Sequence, residues 1–144
     1  MFRTSMAIVL GVSCVSAMAQ MSPVGLWKTI DDKTGAVRSE VRITETAGVV
    51  NGVIEKTLVQ GTEPNCEKCT DDRKGKPKLG MEIIRSAHKA EGKDVWEGGS
   101  IVDPDSGTVY KLKLTPVDEG KKLEVRGFVG FALLGRTQTW VRAQ

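Results

Sequence analysis

Apolar and polar residues alternate along much of this chain, which is the period of a β-strand with one buried face. The alternation is clearest in VRSEVRIT (37–44), VYKLKLTPV (109–117) and KLEVRGFV (122–129). Weaker strand patterns cover residues 24–30, 50–59, 80–87, 94–102 and 136–142. The sequence therefore predicts eight strands, and no long stretch has a convincing helical period.

Turn sequences separate the predicted strands: DDKTG, TAG, EGKD, DPDSG and DEGK. Eight short strands joined mostly by tight links favour an all-β fold, an eight-stranded antiparallel up-and-down barrel. Such a barrel leaves no edge strand open to aggregation. A two-sheet β-sandwich is the alternative, because alternation alone does not distinguish the two architectures.

Two segments depart from this regular pattern. The long connection 60–79 contains the sequence NCEKC and therefore both Cys66 and Cys69. The segment FVGFALLG (128–135) is apolar at consecutive positions, which is typical of a short helical turn or of a lid before the last strand.

The N-terminal sequence has the features of a secretory signal peptide. A charge at Arg3 precedes an apolar run, and AMA (17–19) provides a small-x-small cleavage site. We expect cleavage after Ala19, a periplasmic location, and a single β-barrel domain over residues 20–144. Acylation of Cys14 is the alternative way of processing this segment.

Charge and hydropathy exclude two kinds of partner. The chain carries a formal net charge of +3, and both signs are mixed along it. The dense basic stretch RKGKPK (73–78) lacks neighbouring aromatic residues, so no nucleic-acid surface is predicted. The N-terminal apolar run is shorter than the roughly 18 residues that a membrane span needs, and the mature chain contains no predicted transmembrane segment.

The two ends of the predicted barrel domain resemble those of lipocalins. GLW (25–27) is similar to the Gly-x-Trp that opens the first strand in lipocalins, and the last strand ends in TQTWVRAQ. The resemblance implies that Gly25 and Trp27 belong to the closed end of a barrel. It also implies that Arg142, with Arg136 as second choice, packs over the indole ring.

A longer set of segments is similar to a narrower family. GLWKTIDDKTG, CEKC, WEGGSIVDPDSGTVYKLKL, LEVRGFVG and LGRTQTWVR together resemble a group of small exported bacterial proteins known as domain of unknown function 2147. The resemblance covers almost all of the mature chain. It implies a lipocalin-like barrel in the periplasm and no particular activity.

The cysteine pair allows three interpretations. A thioredoxin-type site needs its thiols at a helix N-terminus, and a zinc site needs further ligands. Cys66, Cys69, His88 and Met81 are a conceivable set for a soft copper ion. In an oxidising compartment a local disulfide is the default, so we predict a Cys66–Cys69 bond with no metal and no cofactor.

Residues suited to catalysis are scarce. His88 is the only histidine, and no serine lies in a nucleophile-elbow sequence. Asp103 and Asp105 lack the later ligands of a calcium loop and are typical of a β-turn. The sequence does not predict an enzyme of a common kind.

The barrel interior remains as the candidate site, since eight strands enclose either packed side chains or one small ligand. Our first hypothesis is a carrier or sensor of a small apolar or amphipathic ligand. The first alternative is a solid structural or protein-interaction module, with no partner indicated. The second is a redox or metal protein acting through Cys66 and Cys69. Tyr110 is the residue suited to a polar ligand contact. The predicted ligand-contacting residues are Val41, Ile43, Tyr110, Leu112, Leu114, Leu123, Val125 and Phe131.

Overall fold

The computed structural model describes residues 21–59, 61–130 and 134–143, together with Gly11. Within these ranges the strands are β1 (Gly25–Ile30), β2 (Val37–Thr46), β3 (Val49–Thr57), β4 (Glu82–Lys89), β5 (Trp96–Val102), β6 (Val109–Val117), β7 (Lys122–Phe128) and β8 (Gly135–Arg142). A 3-10 turn, Asp118–Gly120, joins β6 to β7. Apart from Gly11, the predicted signal peptide lies outside the described residues, and so does Phe131.

The strands form a closed antiparallel barrel in sequence order. Each strand pairs with the next, and β1 closes the barrel by pairing Trp27 with Arg142 and Lys28 with Val141 of β8. The predicted up-and-down barrel is confirmed and the sandwich alternative is wrong. In the part of the chain that is described, no helix has the length and apolar character needed to cross a membrane.

Several predicted strand boundaries are shifted by one or two residues, and the start of β4 is one of them. The fourth strand begins at Glu82 instead of residue 80, because residues 78–81 form a turn. In this turn the Met81 N–H donates to the Lys78 carbonyl at 3.1 Å, and the Gly80 N–H donates to the Ile54 carbonyl at 2.8 Å. The turn directs the chain from the long loop back into the barrel wall.

Successive strand connections alternate between the two ends of the barrel, as an up-and-down topology requires. The start of β1 and the end of β8 lie at one end, which we call the closed end. The β1–β2, β3–β4, β5–β6 and β7–β8 connections lie at the other end, which we call the open end. Any opening formed by these four connections is therefore built from segments far apart in sequence.

Large side chains fill the closed half of the interior. Trp27 is fully buried at the closed end, and its Nε1 donates to the Pro23 carbonyl at 2.7 Å. Further inward-facing residues at most 1% exposed are Val41, Ile43, Val50, Ile84, Ala87, Leu112, Leu114 and Leu123. This half of the barrel is a packed core.

The β3–β4 loop (residues 58–81) has its own internal structure. The Cys66 N–H donates to the Lys76 carbonyl and the Gly75 N–H donates to the Cys66 carbonyl, both at 2.8 Å. Arg73 is only 4% exposed, and its Nη1 donates to the Glu82 carbonyl at 2.9 Å. Hydrogen bonds from the Arg73 side chain lower the pKa of Asp71 to about 2. The loop is therefore anchored to the barrel wall.

The β1–β2 and β5–β6 connections are two copies of one turn. In each turn the aspartate N–H donates to the carbonyl five residues later, and the aspartate carbonyl accepts from the N–H four residues later. The partners of Asp31 are Ala36 and Gly35, and those of Asp103 are Thr108 and Gly107. Each aspartate side chain also accepts from the two following turn amides. The DPDSG sequence is thus a turn, as predicted.

Gly107 is where the cysteine loop packs on the β5–β6 turn. A Cβ at this position would overlap the Lys68 carbonyl oxygen and lie 2.8 Å from the Cys69 nitrogen. The equivalent Gly35 has a similar positive φ, 71° against 74°, but nothing would lie within 4 Å of its Cβ. The two glycines therefore share a backbone conformation and differ in what packs against them.

We expect Gly107→Ala to release the cysteine loop from the turn. Both Gly107→Ala and Gly35→Ala should cost about 1 kcal/mol from the left-handed backbone, whereas the backbone clash should bring the Gly107 variant to about 2–4 kcal/mol. Denaturant unfolding gives these values, and hydrogen exchange of residues 62–78 reports loop release. Equal losses in the two variants would show that the loop is not held at this contact.

Candidate ligand-binding cavity

The open half of the barrel contains a cavity of about 490 Å³. It lies within the range of about 300–1,000 Å³ that is typical of small-molecule sites. Its apolar lining consists of Ile54, Val59, Ile83, Ile101, Val102, Pro104, Val125, Leu134 and Trp140, and its polar lining includes Thr29, Ser39, Thr57, Thr62, Tyr110 and Gln138. Charged side chains at the mouth are Arg38, Lys78, Asp103, Asp105 and Arg136.

The cavity exists because small and polar residues occupy inward positions in the open half. Thr29 follows Trp27 by two residues, Ser39 precedes Val41 by two, and Gln138 precedes Trp140 by two. Side chains two apart on a strand share a face, so all three point inward with their buried neighbours. Sequence reasoning missed them because their polarity suggested solvent, although this spacing was the signal that could have found them.

The structure divides the predicted ligand-contacting residues. Tyr110 and Val125 line the cavity, and Phe131 lies outside the described residues. The other five do not line it, because they lie in the packed half and are no more than 1% exposed: Val41, Ile43, Leu112, Leu114 and Leu123. They form its supporting core and are not assigned to ligand contact.

Gly127 makes room for the Tyr110 side chain. A Cβ on Gly127 would lie 3.2 Å from the Tyr110 Cβ and 3.3 Å from its Cγ, so the tyrosine packs directly over the glycine backbone. Both residues line the cavity. A side chain at residue 127 would therefore displace the ring that forms this part of the wall.

Uncharged polar groups project into the cavity, and two of their donors are unpaired. The Thr29 and Ser39 hydroxyls are 2.7 Å apart and satisfy each other. Trp140 Nε1 donates to Gln138 Oε1 at 3.3 Å. Among the described residues, neither the Tyr110 hydroxyl nor the Gln138 amide nitrogen has a hydrogen-bond partner. These two groups are available to a bound molecule.

Most of the charged groups at the mouth are joined in ion pairs. Asp105 accepts from Arg38 Nη2 and from Lys78 Nζ, both at 2.8 Å. Arg38 Nη1 also donates to Asp31 at 3.3 Å. Lys78 is only 9% exposed and belongs to the β3–β4 loop, so Asp105 connects that loop, β2 and the β5–β6 turn.

A second ion pair lies at the same rim. Arg136 Nε donates to Asp32 Oδ2 at 2.9 Å, and Arg136 Nη2 contacts the same oxygen. The pKa of Arg136 is raised, first by hydrogen bonds to Asp32 and to a smaller extent by Asp103 and Tyr110. The guanidinium therefore remains charged and lies among anionic neighbours.

Arg142 covers Trp27 at the closed end. Its guanidinium carbon lies 4.2 Å from the centroid of the indole ring. Its three nitrogens donate to the carbonyls of Gly120 at 2.6 Å, Val24 at 2.8 Å and Ser22 at 2.9 Å. Gly25, with a φ of 139°, begins β1 beside this contact. The second choice, Arg136, lies instead at the mouth.

Cys66 and Cys69 form the predicted disulfide and are 0% and 1% exposed. In this bonded state the sulfurs do not offer the thiolates of a soft copper site. The pair lies in the β3–β4 loop and not at the N-terminus of a described helix, which is where a thioredoxin-type pair lies. His88 pairs across the sheet with Val49 and Glu97. Within the described ranges, no group of three or more His, Cys, Asp or Glu residues is placed to hold a metal ion.

The arrangement of barrel, closing Trp–Arg contact and loop disulfide can be compared with known proteins. Residues 25–142 match the family described as "Uncharacterized protein conserved in bacteria (DUF2147)". This chain belongs to the DUF2147 family. The match begins at Gly25 and ends at Arg142, so it spans the DUF2147 barrel from its first strand to its last. A comparison with curated proteins gives no match.

Among solved structures, this DUF2147 chain is similar to HP1028 from the human pathogen Helicobacter pylori, which is described as belonging to the lipocalin family. The two share 16% sequence identity, and the match covers 87% of this chain and 85% of that one with a TM-score of 0.73. At this identity the similarity establishes a lipocalin-like fold.

Proposed function

We propose that this protein binds one small amphipathic molecule inside its barrel and acts as a periplasmic carrier or sensor of that molecule. The observation that carries the proposal is the cavity of about 490 Å³ above a packed core. Its apolar walls suit a hydrocarbon chain, and the unpaired donors of Tyr110 and Gln138 suit a polar group.

The apolar lining indicates the size of the proposed ligand and the affinity with which it should bind. A linear chain of about twelve carbons can bury roughly 0.8 kcal/mol per methylene group. The total is about 9.5 kcal/mol, and after an association cost of about 4 kcal/mol the remaining roughly 5.5 kcal/mol corresponds to a Kd of about 100 μM. Val59 and Leu134 are exposed apolar residues that also line the cavity, and they give such a chain an apolar entrance.

The proposed location rests on the N-terminal sequence. Arg3, the following apolar run and AMA at 17–19 support export with cleavage after Ala19. A buried disulfide in the β3–β4 loop is in keeping with an oxidising compartment. We propose binding as the activity, and we assign no catalytic residue and no cofactor.

The test uses protein purified from the periplasmic fraction. Native mass spectrometry should give the mass of residues 20–144 with an intact disulfide and a co-purified small molecule. Titration of delipidated protein with Nile red should show saturable binding at one site. No co-purified ligand, together with no saturable Nile red binding, would reject a ligand-binding barrel and favour a solid structural module.

A further inference from the structure

We infer that the cavity selects an amphiphile whose polar group is uncharged and rejects one that ends in a carboxylate. The inference rests on the proposed function and specifies the chemical class of its ligand. It comes from the difference between the groups that are paired at the mouth and the groups that are unpaired inside.

Every cation that lines the cavity already has a carboxylate partner. Arg38 pairs with Asp31 and Asp105, Lys78 pairs with Asp105, and Arg136 pairs with Asp32. A carboxylate ligand would have to displace one of these partners, and the displaced aspartate would lose its own counter-charge. The exchange has no net electrostatic benefit.

The sum of charges at the mouth also opposes an anion. Among the described residues, three cationic lining side chains meet four carboxylates: Asp103 and Asp105 also line the cavity, while Asp31 and Asp32 pair with Arg38 and Arg136 from outside the lining. The mouth thus carries one net negative charge. A ligand carboxylate in this partly closed space would meet like charge at reduced solvent screening.

The unpaired polar groups of the lining have the opposite character. The Tyr110 hydroxyl and the Gln138 amide nitrogen are neutral donors without a described protein partner. The Thr29 and Ser39 hydroxyls bond to each other and retain further hydrogen-bonding capacity. Such groups can satisfy an alcohol, an amide or an ester without supplying a counter-ion.

The experiment compares three probes with one chain length: dodecanol, dodecanoic acid and dodecylamine. Displacement of Nile red at neutral pH, where acid and amine are ionised, gives their relative affinities. We expect dodecanol to bind wild-type protein at least about tenfold more tightly than dodecanoic acid. Dodecylamine carries the charge opposite to that of the mouth, so it should bind no more weakly than the acid. Binding of the acid equal to or tighter than that of dodecanol would overturn the inference and leave the proposed function intact. Failure of Nile red and all three probes would reject the proposed function itself.

Asp105→Asn identifies the source of the selectivity. The variant removes the carboxylate partner of Lys78 and neutralises the mouth, so dodecanoic acid should bind about tenfold more tightly than it does to wild-type protein. Asp72→Asn is the matched control, because Asp72 of the β3–β4 loop pairs with Arg85 of β4 and does not line the cavity. Unchanged acid affinity in folded Asp105→Asn would contradict the inferred mechanism. If that variant is unfolded by circular dichroism, the wild-type probe order still decides.

Discussion

Val125→Trp should bind Nile red at least about 30-fold more weakly than wild-type protein, because an indole would occupy the space that the ligand needs. Val125 lies on β7 between Leu114 of β6 and Gln138 of β8. It is 4% exposed and lines the cavity. Since the larger side chain enters a void, we expect the free energy of unfolding to change by no more than about 1–3 kcal/mol. Fluorescence titration and denaturant unfolding of the same preparation give both values.

Thr139→Trp is the control for this substitution. Thr139 follows Gln138 on β8 and pairs with Glu124 of β7. It is exposed, so its side chain lies on the outer face of the barrel. The new tryptophan therefore adds the same aromatic surface outside the barrel, and the Nile red affinity should remain that of wild-type protein. If folded Val125→Trp keeps wild-type affinity, the ligand does not occupy this cavity.

Arg142→Ala should lower the free energy of unfolding by about 2–4 kcal/mol. The guanidinium stacks on Trp27 and donates to three backbone carbonyls, and its removal leaves these acceptors without their donor. Burial lowers the pKa of Arg142, which still remains a cation at neutral pH. Urea unfolding followed by circular dichroism measures the loss, and the fluorescence of Trp27 should change with it.

Two variants separate this role from a general effect of charge. Arg142→Lys keeps the charge but lacks the planar fork, so it should recover less than about half of the loss. Arg42→Ala removes a half-exposed arginine paired with Glu55 and should cost about 0–1 kcal/mol. A loss in Arg142→Ala no larger than that in Arg42→Ala would show that the Trp27 contact does not stabilise the barrel.

The sequence predicts the barrel well because alternation is a local signal. Each strand carries its own two-residue period, and tight turns leave few ways to connect eight such strands. The disulfide is predictable for a related reason, since Cys66 and Cys69 are only three positions apart in the sequence. The packing of Arg142 on Trp27 came from a resemblance to lipocalins, because residues at opposite ends of a domain share no local pattern.

The hollow half of the interior is not predictable in this way. Whether an inward position is packed or empty depends on which side chains meet it from other strands. Thr29, Ser39 and Gly127 are small, and they leave space only because the barrel brings them together. The ion pairs of Asp105 likewise join residues separated by 27 and 67 positions. Those contacts are properties of the closed fold.

The closed end has a practical consequence for how the protein can be attached to something else. The start of β1 and the end of β8 are adjacent there, joined by the pairs Trp27–Arg142 and Lys28–Val141, and the cavity opens at the opposite end. A surface, a dye or a second protein linked to either end of the domain would therefore leave the entrance facing solution. Trp140 lines the cavity while Trp27 and Trp96 are buried in the core. Under the proposed function, a domain immobilised by its terminus would therefore report binding through the fluorescence of Trp140, without an added dye.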